Sequence, residues 1–573
     1  MMRNIGLAFS GGGFRAASFA LGSMSYLHRI QWEGKSLLEH VSYISGTSGG
    51  SIADAYYTLG LHQGKPIPTI LAELYHKLKG YDILEKALET LTKEAAWKNY
   101  PHKTRNLINA LAIAFDHHLF DGQTFSRYWD KLHRPHVHAI CINATELNNG
   151  ISFRFKIDGT DAGISQIGNH YLKFKGDAVD VCKSLRIADA VAASCCYPSG
   201  FEPMVFPEDF ANPQFGPGAL QQSLDLDHIN HLHRRAVKQR GFGLMDGGIV
   251  DNQGLHGLRV EDHHRRKAAE EAAFEKSIPD EEKPPMPFDL MIHCDVASYF
   301  VTPYHSPNRK WSPWLRMRLK WLLLALGLIL PLTLATLVTF ALQDQPWYYY
   351  LLISPAYFSS VLIGIGIYHG LRLWIQNRTS VPTKMLRRYL KEIIELPLSA
   401  FVMVAKSRVK SFSMLAQDVF FKQIRRLHLE IAYNDERNRN RIIPNFIYEL
   451  SMAHHHRRRK SSLLEGKGWW TENMKLMEPS QRMERTAETA RKVATTLWFD
   501  PRHGRVIDSV IATGQFTLCY NLIKHLSRIE QLQGKLQPEL EAMRAQMLAD
   551  WDHFLEDPKF MLPQIKGRQA GGF

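Results

Sequence analysis

The sequence predicts an α/β fold: an open sheet interrupted by a two-helix transmembrane hairpin and followed by a mainly helical C-terminal part. Three observations carry this expectation. Three glycine-flanked polar sites, at Gly11–Gly13, Ser48 and Asp246, each follow a short run that reads as a buried strand. Two runs of 22 residues, Trp321–Leu342 and Trp347–Tyr368, contain no charge. From Met385 onward, apolar and charged residues mix at helical spacing.

The 573 residues, 45% hydrophobic and 22% charged, are globular in composition and have room for more than one domain. The expected division is a catalytic domain over 1–300, the hairpin with its basic flanks over 301–385, and a helical region over 386–573 packing on the first. The net charge of +14 points to an acidic partner, either nucleic acid or anionic lipid. No nucleic-acid module is recognisable, so no nucleic acid is expected. Cys141, Cys182, Cys195, Cys196, Cys294 and Cys519 form no C-x-x-C pair and read as reduced core residues of an intracellular protein. The N-terminus lacks the apolar core of a signal peptide, so secretion is not expected.

Asn4–Ser10 reads as a strand that runs into Gly11-Gly12-Gly13-Phe14-Arg15 and then into helical Ala16–Arg29. Such a junction is an anion cradle, because bare backbone N–H groups face the ligand. Gly11, Gly13 and Ala16 also fit a dinucleotide fingerprint, with Glu33 at the ribose distance. That acid belongs at the end of the second strand, which ends instead in Gly46-Thr47-Ser48. The better reading is an oxyanion hole with Gly12 and Gly13 as donors.

Val41–Tyr57, VSYISGTSGGSIADAYY, contains a G-x-S-x-G elbow in strand–turn–helix context, with Gly46 and Gly50 around Ser48. Glycines allow the tight turn that presents the hydroxyl, and the following helix aims its positive end at it. Its rival is a purely structural glycine-rich turn. Lys65–Leu119 is helical in period. His117, His118, His133, His136 and His138 find no carboxylate or cysteine at metal-ligand spacing, so no metal is expected. Val137–Thr145 and Ile151–Lys156 read as strands joined at Asn148-Asn149-Gly150. The sequon at Asn143 falls in that first strand, and no glycosylation is expected there. Ile187–Ala193 reads as a helix broken by Ser194-Cys195-Cys196-Tyr197-Pro198, whose cysteines are most simply small buried residues.

Gly241–Asn252, GFGLMDGGIVDN, reads as a strand ending at Met245 and a turn at Asp246-Gly247-Gly248. Alone it would be a simple Asp-Gly turn. In an open α/β sheet, however, the carboxyl ends of strands share one edge, where three such sites can converge as nucleophile, base and oxyanion donors.

With these blocks in hand, residues 4–300 resemble the patatin-like phospholipases, a family of lipid acyl hydrolases. SGGGFR is similar to that family's oxyanion loop, GTSGG to its nucleophile elbow and DGG to its aspartate motif. INATELNNGISFRF and IADAVAASCCYPSGF are similar to family segments in between. The resemblance implies a three-layer α/β/α sheet and a Ser48–Asp246 dyad with Gly11, Gly12 and Gly13 at the oxyanion hole. Arg15, Gly46, Gly50, Gly247 and Gly248 complete the motifs. Ala16 and Ser194-Cys195-Cys196 depart from the family pattern without removing a catalytic group.

His263–Pro287 reads as a charged linker or solvated helix, and Phe288–Val296 as a buried strand. Each uncharged run, as a helix, is about 33 Å long, enough for about 30 Å of hydrocarbon. The link 343–346 leaves only an antiparallel hairpin, and tryptophan and tyrosine mark its boundaries. A buried core hairpin is the alternative. Arg309, Lys310, Arg316, Arg318 and Lys320 precede it, and Arg372, Arg378, Lys384, Arg387 and Arg388 follow. Basic flanks on both sides predict a multi-pass membrane protein with its catalytic part at the cytoplasmic surface, against anionic lipid. Beyond it, Met385–Val404, Gln417–Glu430 and Ala487–Thr496 read as helical. His454–Lys460 reads as an exposed loop, Ser509–Gly514 as a turn before a helix over Phe516–Leu526, and Gly567–Phe573 as a mobile tail.

The expected function is a membrane-anchored serine hydrolase that cleaves acyl esters of membrane lipids without metal or organic cofactor. Two alternatives stand beside it. One is a Ser-Asp-His esterase with His293 as base, following the chain order of α/β-hydrolases. The other is a membrane scaffold without turnover. A carboxylate base is expected to set the acidic limb of kcat/KM below the histidine range.

Overall fold

Ile5–Phe9 (β1), Val41–Thr47 (β2) and Leu290–Asp295 (β7) are buried at every position. That is the mark of strands covered on both faces. The computed structural model describes residues 2–297, 317–321, 388–455, 477–499 and 506–567, less 81, 131–134, 199, 275–284, 389–390, 394, 439 and 498. Two compact units make it up: Met1–Phe300 with Phe421–Phe573, and Val301–Phe420.

The first unit is built on one sheet. Besides β1, β2 and β7 it contains Ala139–Glu146 (β3), Ile151–Ile157 (β4), Met204–Phe206 (β5), Phe242–Asp246 (β6) and Ile442–Phe446 (β8). The order is β8-β7-β1-β2-β3-β6-β5, with β4 also paired to β3. Side chains alternate between two cores. Ile5, Leu7, Phe9, Ile44, Ile140 and Ile142 share one with residues of Gly13–Arg29 (α1), Gly49–His62 (α2) and Val506–Gln533 (α7). Ala8, Tyr43, Ala139, Cys141 and Met291 face the other, with Leu255 and Leu258 of Leu255–Phe274 (α4) and Ala432 of Phe421–Asn434 (α5). Helices therefore cover both faces, in three layers.

Several elements differ from the sequence reading. The helix after the glycine loop starts at Gly13, inside the motif. Glu261, Asp262 and Arg265 of α4 are buried and tied in ion pairs, so α4 is not a wholly solvated helix. Strand β8 was not legible, because Pro444 argues against a strand. Proline is tolerated here because β8 is an edge strand. Ser509–Gly514 is no turn but part of α7, a continuous helix of 28 residues. Gly514 serves close packing instead: a Cβ there would stand 2.5 Å from the Phe19 carbonyl oxygen, and one on Gly22 would stand 2.1 Å from that of Ile511. The backbones of α1 and α7 touch at this crossing.

The largest correction concerns β6. It runs antiparallel to β3, so Asp246 does not reach the site from a strand parallel to the others. β4 occupies one whole edge of β3, and β2 and β6 share the opposite edge end to end. Thr47 pairs with Asn143, and Asp246 with the next residue, Ala144. Two strands of opposite direction thus meet head to head, with Ser48 and Asp246 at the junction.

Apart from Trp321, the two uncharged runs lie outside the described residues. Among the described residues one helix, α7, is long and apolar enough to cross a membrane, and 94% of its apolar window is buried inside the protein. In the second unit, Leu319 N–H donates to the Leu396 carbonyl (2.9 Å) and Leu398 N–H to that of Met317 (2.7 Å). Arg318 and Lys320 each bind Glu395 at 2.9 Å. The helix Leu398–Met414 follows, with no buried residue.

Candidate active site

A strand that must turn at once into a helix forces an unusual backbone on the residue between. Ser48 has φ 52° and ψ −123°, a left-handed conformation that is costly for a side-chain-bearing residue. Its neighbours permit the turn by lacking side chains. A Cβ on Gly46 would meet the Ser51 backbone, and one on Gly50 the Phe9 carbonyl. A Cβ on Gly49 would stand 1.9 Å from the Gly13 oxygen, which is how closely elbow and glycine loop approach.

Asp246 ends β6 and is buried. Its Oδ1 accepts the Gly248 N–H at 2.7 Å, and the Ser48 hydroxyl lies close enough to favour the charged form of its carboxyl. Burial pushes the Asp246 carboxyl up to about 7, against the pull of those two groups. A carboxyl with such a pKa is in the range suited to general-base chemistry near neutrality. Gly247 packs on the Asn143 carbonyl, where a Cβ would stand 2.2 Å from the oxygen.

The glycine loop lies across the elbow. Gly12 has φ 143°, open to glycine alone. The Gly11 N–H donates to the Asn252 carbonyl at 2.7 Å, which narrows the available donors to Gly12 and Gly13. Neither of those N–H groups bonds a described residue. The same holds for Gly49, the residue after Ser48 and the position α/β-hydrolases use for an oxyanion donor. Arg15 points away from the dyad: its guanidinium donates to the Val493 carbonyl at 2.7 Å and to Thr495 Oγ1 at 3.2 Å. Phe14 N–H bonds the Thr496 carbonyl at 2.8 Å, so the 491–496 segment, at the end of the helix Gln481–Lys492 (α6), braces the start of α1.

Sequence reasoning missed the strongest brace. Ile187–Ser194 (α3) ends against both Ser48 and Asp246. Ser194 Oγ accepts the Ser48 N–H at 2.8 Å and donates to the Asn143 carbonyl at 2.6 Å. The Cys196 carbonyl accepts the Asp246 N–H at 2.9 Å. The Cys195 thiol lies beside the Ser48 hydroxyl, and burial near Asp246 keeps it protonated. Asn252 was missed as well; its Oδ1 stands 2.6 Å and 2.7 Å from where Cβ atoms on Gly11 and Gly248 would lie. The break after α3 was visible in the sequence, but its partners were not.

His293 lies elsewhere. It is fully buried in β7, its Nδ1 is 3.4 Å from the Tyr433 hydroxyl, and its ring packs on Phe446. Burial lowers its pKa to about 4. Among the described residues, no three His, Cys, Asp or Glu side chains gather as a metal site.

Comparisons with known proteins bear on this geometry to different degrees. Human GIVD cytosolic phospholipase A2 is 14% identical, aligned over 52% of this chain and 46% of its own, with a TM-score of 0.30. The chain thus spans about half the length of that neighbour. VipD from Legionella pneumophila is 10% identical over 100% of this chain and 92% of its own, with a TM-score of 0.21. At such scores neither likeness carries an argument. No curated protein matches the chain. Residues 7–259, which contain the glycine loop, Ser48 and Asp246, match the family model described as patatin-like phospholipase.

Proposed function

We propose that the protein is a membrane-anchored lipid acyl hydrolase working through a Ser48–Asp246 dyad. Asp246 accepts the proton as the Ser48 hydroxyl attacks the ester carbonyl. The N–H groups of Gly12 and Gly13, with Gly49, stabilise the tetrahedral oxyanion. The protonated Asp246 then returns its proton to the leaving alcohol, and water releases the acyl group from Ser48 by the same steps in reverse order. The observation that carries this reading is the head-to-head meeting of β2 and β6, which brings the buried Asp246 carboxyl, raised to about 7, beside the Ser48 hydroxyl. His293 supports no triad, since its neighbours are Tyr433 and Phe446.

Anchoring by the hairpin over 321–342 and 347–368, with both flanks cytoplasmic, is part of the same proposal. It is supported by Met317–Lys320 bonding to Glu395–Leu398, since the segment between leaves and returns at one place. The helix Leu398–Met414 adds support: it exposes Val409 (70%) and Phe412 (72%) beside Lys406, Arg408 and Lys410, a surface suited to anionic lipid. The test is labelling with a fluorophosphonate and turnover of short-chain esters and phospholipid. Ser48→Ala is expected to abolish both while melting as the parent does. Parental turnover in a folded Ser48→Ala protein would end the dyad reading. For the anchor, carbonate extraction is expected to leave the chain in the membrane pellet.

A further inference from the structure

Outside the candidate active site, positively charged side chains outnumber carboxylates around one cavity. The turn after α5 faces α4 across a cavity of about 330 Å³, lined by His256, Arg259, His263, Arg266 and Arg437 with Asp262 and Asp435. Both carboxylates are engaged. Asp262 receives Arg266 at 2.6 and 2.8 Å, Arg441 at 2.8 Å and the Phe288 N–H at 3.1 Å. Asp435 is gripped by both arms of Arg437, each at 3.0 Å.

Arg259 is the least engaged of these cations. It makes no hydrogen bond or ion pair to a described residue and its Nε is buried without a partner, although the fields of Asp435 and Asp251 reach it. Arg154, on β4, is in the same condition, its Nε also buried and unpartnered. Both arginines act on His256, whose ring is 5.2 Å from that of His428. Asp251 also acts on His256; its Oδ2 accepts the Gly257 N–H at 3.0 Å while its Oδ1 is buried without a partner. Half-buried like charges cost free energy unless an anion joins them. Here His256 falls to about 4, through burial and then the fields of Arg154, His428 and Arg259.

We propose that this cavity binds a phosphate monoester, gripped by the Arg259 guanidinium with His256 and His263 beside it. A guanidinium fork matches two phosphate oxygens at once, and a dianion answers several cations together. The cavity is at the small end of ligand sites, the size for a phosphoryl group with a short polar remainder. The same chemistry is offered by a soluble phosphate and by the headgroup of phosphatidate. Occupation would bridge α4 to the turn that follows α5. α5 itself is bonded to the short helix Gly248–Asp251 beside Asp246, through His428 and the Val250 carbonyl at 2.8 Å.

The test is equilibrium binding to the detergent-solubilised full chain. Inorganic phosphate and glycerol 3-phosphate form one arm; phosphatidate in mixed micelles, against phosphatidylcholine micelles, forms the other. Saturable binding is expected, weakened by roughly tenfold or more in Arg259→Gln and unchanged in Ser48→Ala. Binding in the first arm assigns a soluble ligand, and binding in the second alone assigns a lipid headgroup. Should Arg259→Gln fail to fold, the exposed His263→Gln is expected to weaken binding by a few-fold. Absence of saturable binding in both arms overturns the proposal, as does equal binding by the folded variants. Neither result touches the dyad, which Ser48→Ala tests separately.

Discussion

Asp246 keeps only 4% of its surface exposed, and that burial works on activity and stability in opposite directions. As the base it must be ionised, so kcat/KM is expected to rise with pH through about 7. This corrects the expectation that a carboxylate limb would lie below the histidine range. A limb near 7 overlaps the ordinary histidine value of about 6.5, so substitution must decide the base. Asp246→Asn is expected to lose nearly all turnover, and His293→Ala, if folded, to keep most of it. For stability, the carboxyl rises from 3.8 unfolded to about 7 folded. The penalty of ionising it in the fold is absent below 3.8, grows as pH rises and is complete above about 7. It amounts to at most about 4 kcal/mol. Asp246→Asn should therefore resist urea better than the parent at pH 8, with the gap closing toward pH 4. A parent chain as stable as the variant at pH 8 would refute the burial account. Ser194 gives a second residue-scale prediction, because removing its hydroxyl leaves the Ser48 N–H buried without an acceptor. Ser194→Ala is expected to lower kcat about 10- to 100-fold with little change in KM, and Ser194→Thr to recover much of it. Ser48 and Asp246 were legible because glycines flank them. Ser194 and Asn252 were not, because their roles rest on partners distant in sequence.

At the scale of elements, the sequence reading succeeded where a short run of apolar, β-branched or aromatic residues ends in a glycine turn or a linker, as in β1, β2 and β7. It failed where tertiary contact overrides local preference. Gly514 looked like punctuation for a turn, yet it is the point where α7 lies on α1, opposite Gly22. The strand direction of β6 could not be read either, because a strand pattern is the same in both directions. The glycine crossing makes a sharp prediction. Gly22→Val and Gly514→Val each push a side chain into a backbone carbonyl that cannot rotate aside. The loss is expected at or above the ~1–3 kcal/mol of ordinary overpacking, read as a lower urea midpoint or loss of soluble protein. Gly218→Ala is the control, since nothing lies within 4 Å of its Cβ, and it is expected to be neutral or slightly stabilising. Parental stability in Gly514→Val would show that the two helices do not touch there.

At the scale of the whole molecule, the family match ends at residue 259, but the fold that supports the dyad does not. α7 fills one face of the sheet against α1, and β8 extends the sheet beside β7. The 491–496 segment holds Phe14 and Arg15 at the edge of the glycine loop. The expectation of a helical C-terminal region was coarse because β8 and this brace have no local signature. Two deletions then separate the roles of the parts. A chain ending at residue 300 loses α7, β8 and the brace, and should be insoluble or inactive even toward a short-chain ester. A chain with 301–420 replaced by a flexible linker keeps the whole first unit. It should fold and hydrolyse the short-chain ester within about threefold of the parent, since no dyad or oxyanion residue lies in the removed segment. It should also leave the membrane pellet on carbonate extraction, because both uncharged runs are gone. Retention in the pellet would move the anchor to the first unit and remove the hairpin from the proposal. Loss of soluble ester hydrolysis in a folded linker chain would instead show that the second unit shapes the site.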